Sequence, residues 1–206
     1  ADLPLGTVSL VRSRDRAAGQ ALFCDNRLRL AVARGSGAAV STLGAIAEQH
    51  GINASLHGTG GAWMLATKSA PAERLTAAMR HSLDRKVCNT LNTLVLEQGM
   101  PAATLDAIKA TLAELGAKVH VTEAAQALGF TGEPMEDAAL SQEYEWDDAP
   151  ELAVTVANDL AGACALCNQY SPRFVASLIS GNPADFDTFY AGIEAPYVGD
   201  AFTRWV

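Results

Sequence analysis

Short apolar runs rich in β-branched residues alternate along this chain with longer stretches whose apolar positions recur every three or four residues. The first pattern predicts strands at 7–11, 28–33, 52–56, 63–67, 91–96, 118–121, 152–156, 174–179 and 197–198. The second predicts helices over 14–22, 35–50, 71–86, 101–115, 159–169 and 182–191. Pro71 and Pro101 fall at helix starts, where a missing N–H costs nothing. Apolar strands alternating with helices imply a mostly parallel sheet covered by helices on both faces. The glycine cluster Gly58-Thr59-Gly60-Gly61 separates two such series. The fold class expected is α/β, in two lobes, 1–60 and 61–206. Residues 129–150 carry acids and turn formers without periodicity, and read as a long loop or lid-like excursion.

Composition narrows the class. Apolar residues make up 49% of the chain and charged residues 18%, which excludes a mostly disordered protein. Net charge is −8 and the 15 Lys+Arg are scattered, so no basic face is expected and nucleic acid is excluded as a partner. No apolar run reaches membrane-spanning length and no signal segment opens the chain, which predicts a soluble protein without a membrane partner. The 4 cysteines are too few for a disulfide scaffold and suggest a reducing, cytoplasmic setting. The chain starts at Ala1 rather than Met and stops at Trp205-Val206, so it reads as a piece of a longer protein.

Several residues invite chemistry. Cys88 lies between a helix and an apolar strand, next to Arg85 and Lys86, whose positive charge would favour a nucleophilic thiolate. The bland reading is an inert, half-buried cysteine, and residue chemistry alone favours it. Cys164 and Cys167 have a C-x-x-C spacing but sit mid-helix, three apart, on one face turned to the core; neither zinc nor redox chemistry is expected of them. Cys24 reads as packing. His57, before the glycine cluster, could serve as a base or simply bond a loop. Arg34-Gly35-Ser36-Gly37 follows a strand and opens a helix, a place where backbone N–H groups can approach a phosphate; a plain turn is equally compatible. The acids at 143–148 lack calcium-loop spacing, and no metal site is expected.

Taken in order, four segments carry a resemblance. Leu3-Pro4-Leu5-Gly6 and the apolar run after it resemble the "LP-G" strand of the γ-glutamyl phosphate reductase branch of the aldehyde dehydrogenases. Val32-Ala33-Arg34-Gly35-Ser36 resembles its "I-P-R-G-G" cofactor loop. The stretch Val87-Cys88-Asn89-Thr90-Leu91-Asn92-Thr93-Leu94 resembles its "V-C-N-A-x-E-T-L" nucleophile segment, the most specific match. Asp200-Ala201-Phe202-Thr203-Arg204-Trp205 resembles its "N-A-S-T-R-F".

The resemblance implies an aldehyde dehydrogenase-like fold, with 1–60 as the second half of a Rossmann-like dinucleotide-binding lobe and 61–206 as the catalytic lobe. It implies Cys88 as nucleophile, Arg34, Gly35, Ser36 and Glu151 as contacts to NADP(H), and Asn89, Thr203 and Arg204 as contacts to substrate. The reaction implied is NADPH-dependent reduction of γ-glutamyl phosphate to glutamate 5-semialdehyde, in proline biosynthesis, through a thioester on Cys88. The full-length protein would be a cytoplasmic homo-oligomer acting on a small acyl phosphate. The family's earlier half of the cofactor lobe would precede Ala1, so the isolated chain should bind NADPH weakly and turn over little. Three residues depart from the pattern: His57 stands near the place of the glutamate base of ordinary aldehyde dehydrogenases, Asn92 replaces a Glu and Asp200 replaces an Asn. A reductase making an aldehyde does not need that base, so its loss fits acyl-phosphate reduction better than the first alternative, aldehyde oxidation by a relative; the departures keep open a second, an inactive binding or regulatory domain of the same fold.

Overall fold

A computed structural model of the chain describes residues 4–35, 37–57 and 60–204. The chain forms two compact units, Ala1–Thr59 and Gly60–Val206.

In the first unit, α1 (Arg16–Phe23) begins at Asp15, whose carboxylate accepts the Ala17 N–H at 3.0 Å. Strand β1 (Ala31–Arg34), helix α2 (Gly37–Gln49) and strand β2 (Ala54–His57) follow, and the two strands pair in parallel. Ala31 and Ala33 point inward against Phe23, Val40, Ala47 and Ile52, while Val32 remains 56% exposed. Among the described residues this small sheet is covered on one face only, against the expectation of two. Residues 7–11, expected as a strand, form none, and Val8 and Leu10 are both 87% exposed. β-branched side chains favour a strand only where a neighbouring strand and a packed face receive them.

The second unit is built on a seven-stranded sheet. Its strands are β3 (Ala62–Ala66), β4 (Leu91–Glu97), β5 (Lys118–Val121), β6 (Glu133–Pro134), β7 (Glu151–Ala157), β8 (Val175–Ile179) and β9 (Tyr197–Gly199). They lie in the order β6-β5-β7-β4-β3-β8-β9, and every pairing is parallel. Helices α3 (Ala72–Ser82), α4 (Ala102–Glu114) and α5 (Glu123–Ala127) belong to one layer, whose core joins Leu75, Met79 and Ile108 to Met64, Leu94, Leu96 and Val154. Helices α6 (Leu160–Tyr170) and α7 (Ala184–Gly192) form the other, around Trp63, Leu65, Val95, Leu178 and Phe189. Each fully buried Leu, Met or Phe contributes about 1.5–3 kcal/mol. Burial on both faces explains why β3 and β8 are apolar or small throughout rather than alternating.

Because all strands run one way, every loop that enters a strand meets the same edge of the sheet. Two details there differ from the sequence reading. Helix α3 stops at Ser82 instead of continuing to Lys86, because residues 81–87 are drawn into bonds with other segments. The excursion 129–150 is partly ordered, with β6 and a 3₁₀ turn at Asp137–Ser141, and it is preceded by α5, which is too short to show helical periodicity. No helix among the described residues is long and apolar enough to cross a membrane.

Candidate active site

The segment between α3 and β4 is closed by one hydroxyl. Thr90 Oγ1 accepts the Val87 N–H at 2.8 Å and donates to the Arg85 carbonyl at 2.8 Å, while the Thr90 N–H returns to the Val87 carbonyl. Cys88 and Asn89 form the turn that results, both half-buried, with Thr90 buried beneath them. Gly60 lies against this turn. A Cβ at Gly60 would sit 2.0 Å from the Cys88 carbonyl oxygen, so no side chain fits there. A Cβ at Gly61 would sit 3.0 Å from Asn92 Cβ. The two glycines let the lead into β3 run directly alongside the lead into β4.

The excursion before β7 is stitched to the same edge. Asn92, only 4% exposed, donates from its amide nitrogen to the Gln142 carbonyl at 2.9 Å and accepts the Tyr144 N–H at 3.0 Å. Lys86 Nζ lies 3.3 Å from Glu143 and 3.7 Å from Glu145. Lys86, expected to lend positive charge to Cys88, is paired with these two carboxylates. Tyr144 stacks on His120, with ring centroids 4.3 Å apart. Burial pushes the Tyr144 hydroxyl up to about 12, with Glu151 and Glu133 adding to the effect. His120 Nε2 donates to Glu151 at 2.8 Å, and Lys118 Nζ stands 3.9 Å from the same carboxylate.

A third segment arrives from the chain's far end. The Thr203 N–H donates to Ser82 Oγ at 2.9 Å, Arg204 Nε donates to the His81 carbonyl at 3.2 Å, and Arg204 Nη2 pairs with Asp84. Arg74 donates to Asp200 through both its backbone oxygen, at 2.7 Å, and its carboxylate, at 2.8 Å. Residues 200–204 are thus docked on α3 and on the stretch leading to Cys88. Thr203 Oγ1 and Arg204 Nη1 are buried without a hydrogen-bond partner. Such atoms are costly in a folded protein unless something satisfies them.

No family model matches the chain. It is 27% identical over 199 residues to the γ-glutamyl phosphate reductase of Rhodopirellula baltica, covering 95% of this chain and 44% of that protein. It is 26% identical over 197 residues to γ-glutamyl phosphate reductase 2 of Bacillus licheniformis, covering 94% and 45%. The crystal structure of γ-glutamyl phosphate reductase from Thermotoga maritima superposes with a TM-score of 0.83 at 20% identity, over 95% of this chain and 47% of that one. The chain is similar in sequence to γ-glutamyl phosphate reductases and has the aldehyde dehydrogenase fold. It spans less than half the length of the curated relatives named. Lactaldehyde dehydrogenase from Escherichia coli shares the fold at a TM-score of 0.67 and 14% identity, covering 91% of this chain and 48% of that one. A dehydrogenase from Sinorhizobium meliloti solved with NAD shares it at 0.66 and 12% identity, covering 92% and 48%.

Within this aldehyde dehydrogenase fold, the second unit brings Cys88, Asn89, Thr203 and Arg204 onto one set of connected segments. Glu151 opens β7, which pairs with β4, so it starts from the same sheet edge. In the first unit, Arg34 ends β1 and Gly35 follows it, just before α2 begins at Gly37; Ser36 lies outside the described residues, as does the side chain of His57. Among the described residues no group of His, Cys, Asp and Glu could hold a metal ion. Cys164 and Cys167 face the core, and burial raises their thiols to about 11 and about 12. Cys24, expected as packing, is exposed: it caps α1 just after Phe23, which takes the buried position.

Sequence reasoning missed the bridge made by Asn92, the pairing of Lys86 and the docking of 200–204 on 81–84. The Gly60-Gly61 pair was the one visible signal, marking a close backbone approach.

Proposed function

We propose that this chain is the nucleophile-bearing part of an NADPH-dependent acyl-phosphate reductase that converts γ-glutamyl phosphate to glutamate 5-semialdehyde. The carrying observation is the half-buried Cys88 at the tip of a locked turn, on the segment where the chain resembles the named reductases.

In this reading the Cys88 thiolate attacks the acyl-phosphate carbon. An S–C bond forms, the C–O bond to phosphate breaks, and inorganic phosphate leaves, giving a thioester on Cys88. The Cys88 N–H holds the developing oxyanion, while Asn89, Thr203 and Arg204 orient the substrate. Arg34, Gly35 and Ser36 would hold the dinucleotide phosphates and Glu151 a ribose. When bound, the nicotinamide supplies the hydride that reduces the thioester carbon to the aldehyde, returning the sulfur as thiolate. The resemblance further assigns the full-length protein to the cytoplasm as a homo-oligomer.

The test uses the full-length protein in the reverse direction. NADP⁺ reduction with glutamate semialdehyde should require phosphate and should vanish in Cys88→Ser. Turnover that proceeds equally well without phosphate would replace the reductase by an aldehyde-oxidising enzyme, and a Cys88 inert to iodoacetamide near neutral pH would favour a non-catalytic domain.

A further inference from the structure

Asn92 is not part of the machinery above. It stands four residues beyond Cys88, at the start of β4, and it departs from the Glu that the family resemblance leads one to expect. Its side chain makes a two-pronged contact that few residues can make. The amide nitrogen donates to the Gln142 carbonyl and the amide oxygen accepts from the Tyr144 N–H, at 2.9 and 3.0 Å. Both partners are backbone groups of fixed polarity, so the orientation of the amide is determined. An ionised Glu or Asp has no proton for Gln142.

Three further contacts converge on this bridge. Asn92 Cβ packs where any side chain at Gly61 would stand, and the neighbouring Gly60 abuts the Cys88 carbonyl. Lys86, two residues before Cys88, is 11% exposed and held by Glu143 from the bridged segment. Tyr144, whose N–H the amide accepts, is 3% exposed and stacked on His120. Gly60 is therefore pressed on the turn bearing Cys88, Glu143 holds the lead into that turn through Lys86, and Asn92 bonds residues 142 and 144 while filling the space beside Gly61.

We propose that Asn92 is a positioning residue for Cys88: its amide fixes residues 142–144 and the glycine pair against the nucleophile turn, and so sets the direction in which the thiolate meets the acyl carbon. This rests on the reading of Cys88 as the nucleophile.

The test is made on the full-length protein with Asn92→Asp and Asn92→Ser. A misaimed thiolate should lower kcat about tenfold or more while leaving KM within about twofold. The aspartate variant should regain kcat relative to wild type as pH falls, because a protonated carboxyl can again donate to Gln142 and accept from Tyr144. The serine variant, with a single hydroxyl, should show no such recovery. Lys86, Glu143, Glu145, His120, Glu133 and Glu151 are common to all the proteins and cancel in the ratio. Iodoacetamide labelling read by peptide mass spectrometry supplies the controls: exposed Cys24 is the reference, and buried Cys164 and Cys167 report whether the second unit stays folded.

Wild-type kcat in both variants, with Cys164 and Cys167 protected, would overturn the proposal, as would a loss without pH recovery in the aspartate variant. If both variants unfold, Glu143→Gln loosens the same segment without touching Asn92, and an unchanged kcat there overturns it. If the protein proves not to reduce acyl phosphates at all, the reductase reading fails separately. The ratio of Cys88 to Cys24 labelling then decides, and a ratio unchanged by Asn92→Asp sinks the positioning role.

Discussion

Replacing Gly60 by alanine tests whether the Cys88 turn is pressed against the lead into β3. The new Cβ would stand 2.0 Å from the Cys88 carbonyl oxygen and 2.9 Å from its carbon. Ordinary carbon contacts begin at about 3.5 Å, so one backbone must retreat by more than about 1 Å. At Gly61 the collision is milder, 3.0 Å from Asn92 Cβ, and falls on a side chain. At Gly192 a Cβ would make ordinary contact with Cys164, 3.7 Å away. Overpacking costs about 1–3 kcal/mol. Gly60→Ala should therefore lie at or above the upper end, Gly61→Ala near about 1 kcal/mol, and Gly192→Ala between neutral and about 1 kcal/mol stabilising, since it ends a helix. Urea unfolding followed by tryptophan fluorescence reads this directly, because Trp63, Trp146 and Trp205 all belong to the second unit. Labelling of Cys88 should change in step with stability at Gly60. Wild-type stability and wild-type Cys88 labelling in Gly60→Ala would refute the contact.

Three further outcomes are expected. Burial raises Cys164 to about 11 and Cys167 to about 12 from an ordinary value of 9.0, and Tyr144 to about 12 from 10.0. These groups are neutral when folded, so their stabilisation is complete below about pH 9 and is lost as pH climbs toward 12; urea midpoints should fall across that window, and less so in Cys164→Ala/Cys167→Ala. Thr203→Val removes a buried hydroxyl that lacks a partner, so it should raise stability by up to about 1 kcal/mol while raising KM for the acyl phosphate; a variant that is stabilised with KM unchanged would remove Thr203 from the substrate contacts. Glu151→Gln should raise KM for NADPH about tenfold with little change in kcat, equivalent to about 1.4 kcal/mol, and steady-state titration with the cofactor checks it.

The strands of the second unit could be read closely because β3, β4, β7 and β8 are buried on both faces and are apolar or small nearly throughout. Residues 7–11 have the same composition and form no strand, since composition says nothing about whether a partner is present. Helix α3 shows the complementary limit. Its pattern runs on to Lys86, but Thr203 and Arg204, about 120 positions away, bind Ser82 and Asp84 and end it early. The flanking motif singles out Cys88 as the candidate nucleophile; the setting of Lys86 and Asn92 was not legible, because their partners lie in 142–145, a stretch without periodicity.

The parallel sheet has a consequence for how the protein is made. The groups that shape the Cys88 turn come from Gly60, from 142–145 and from 203–204, which span most of the sequence. A chain emerging from the ribosome exposes the cysteine long before its last tether has been synthesised. During that interval the thiol is open to oxidants and electrophiles. Its surroundings are among the last local structures to be completed.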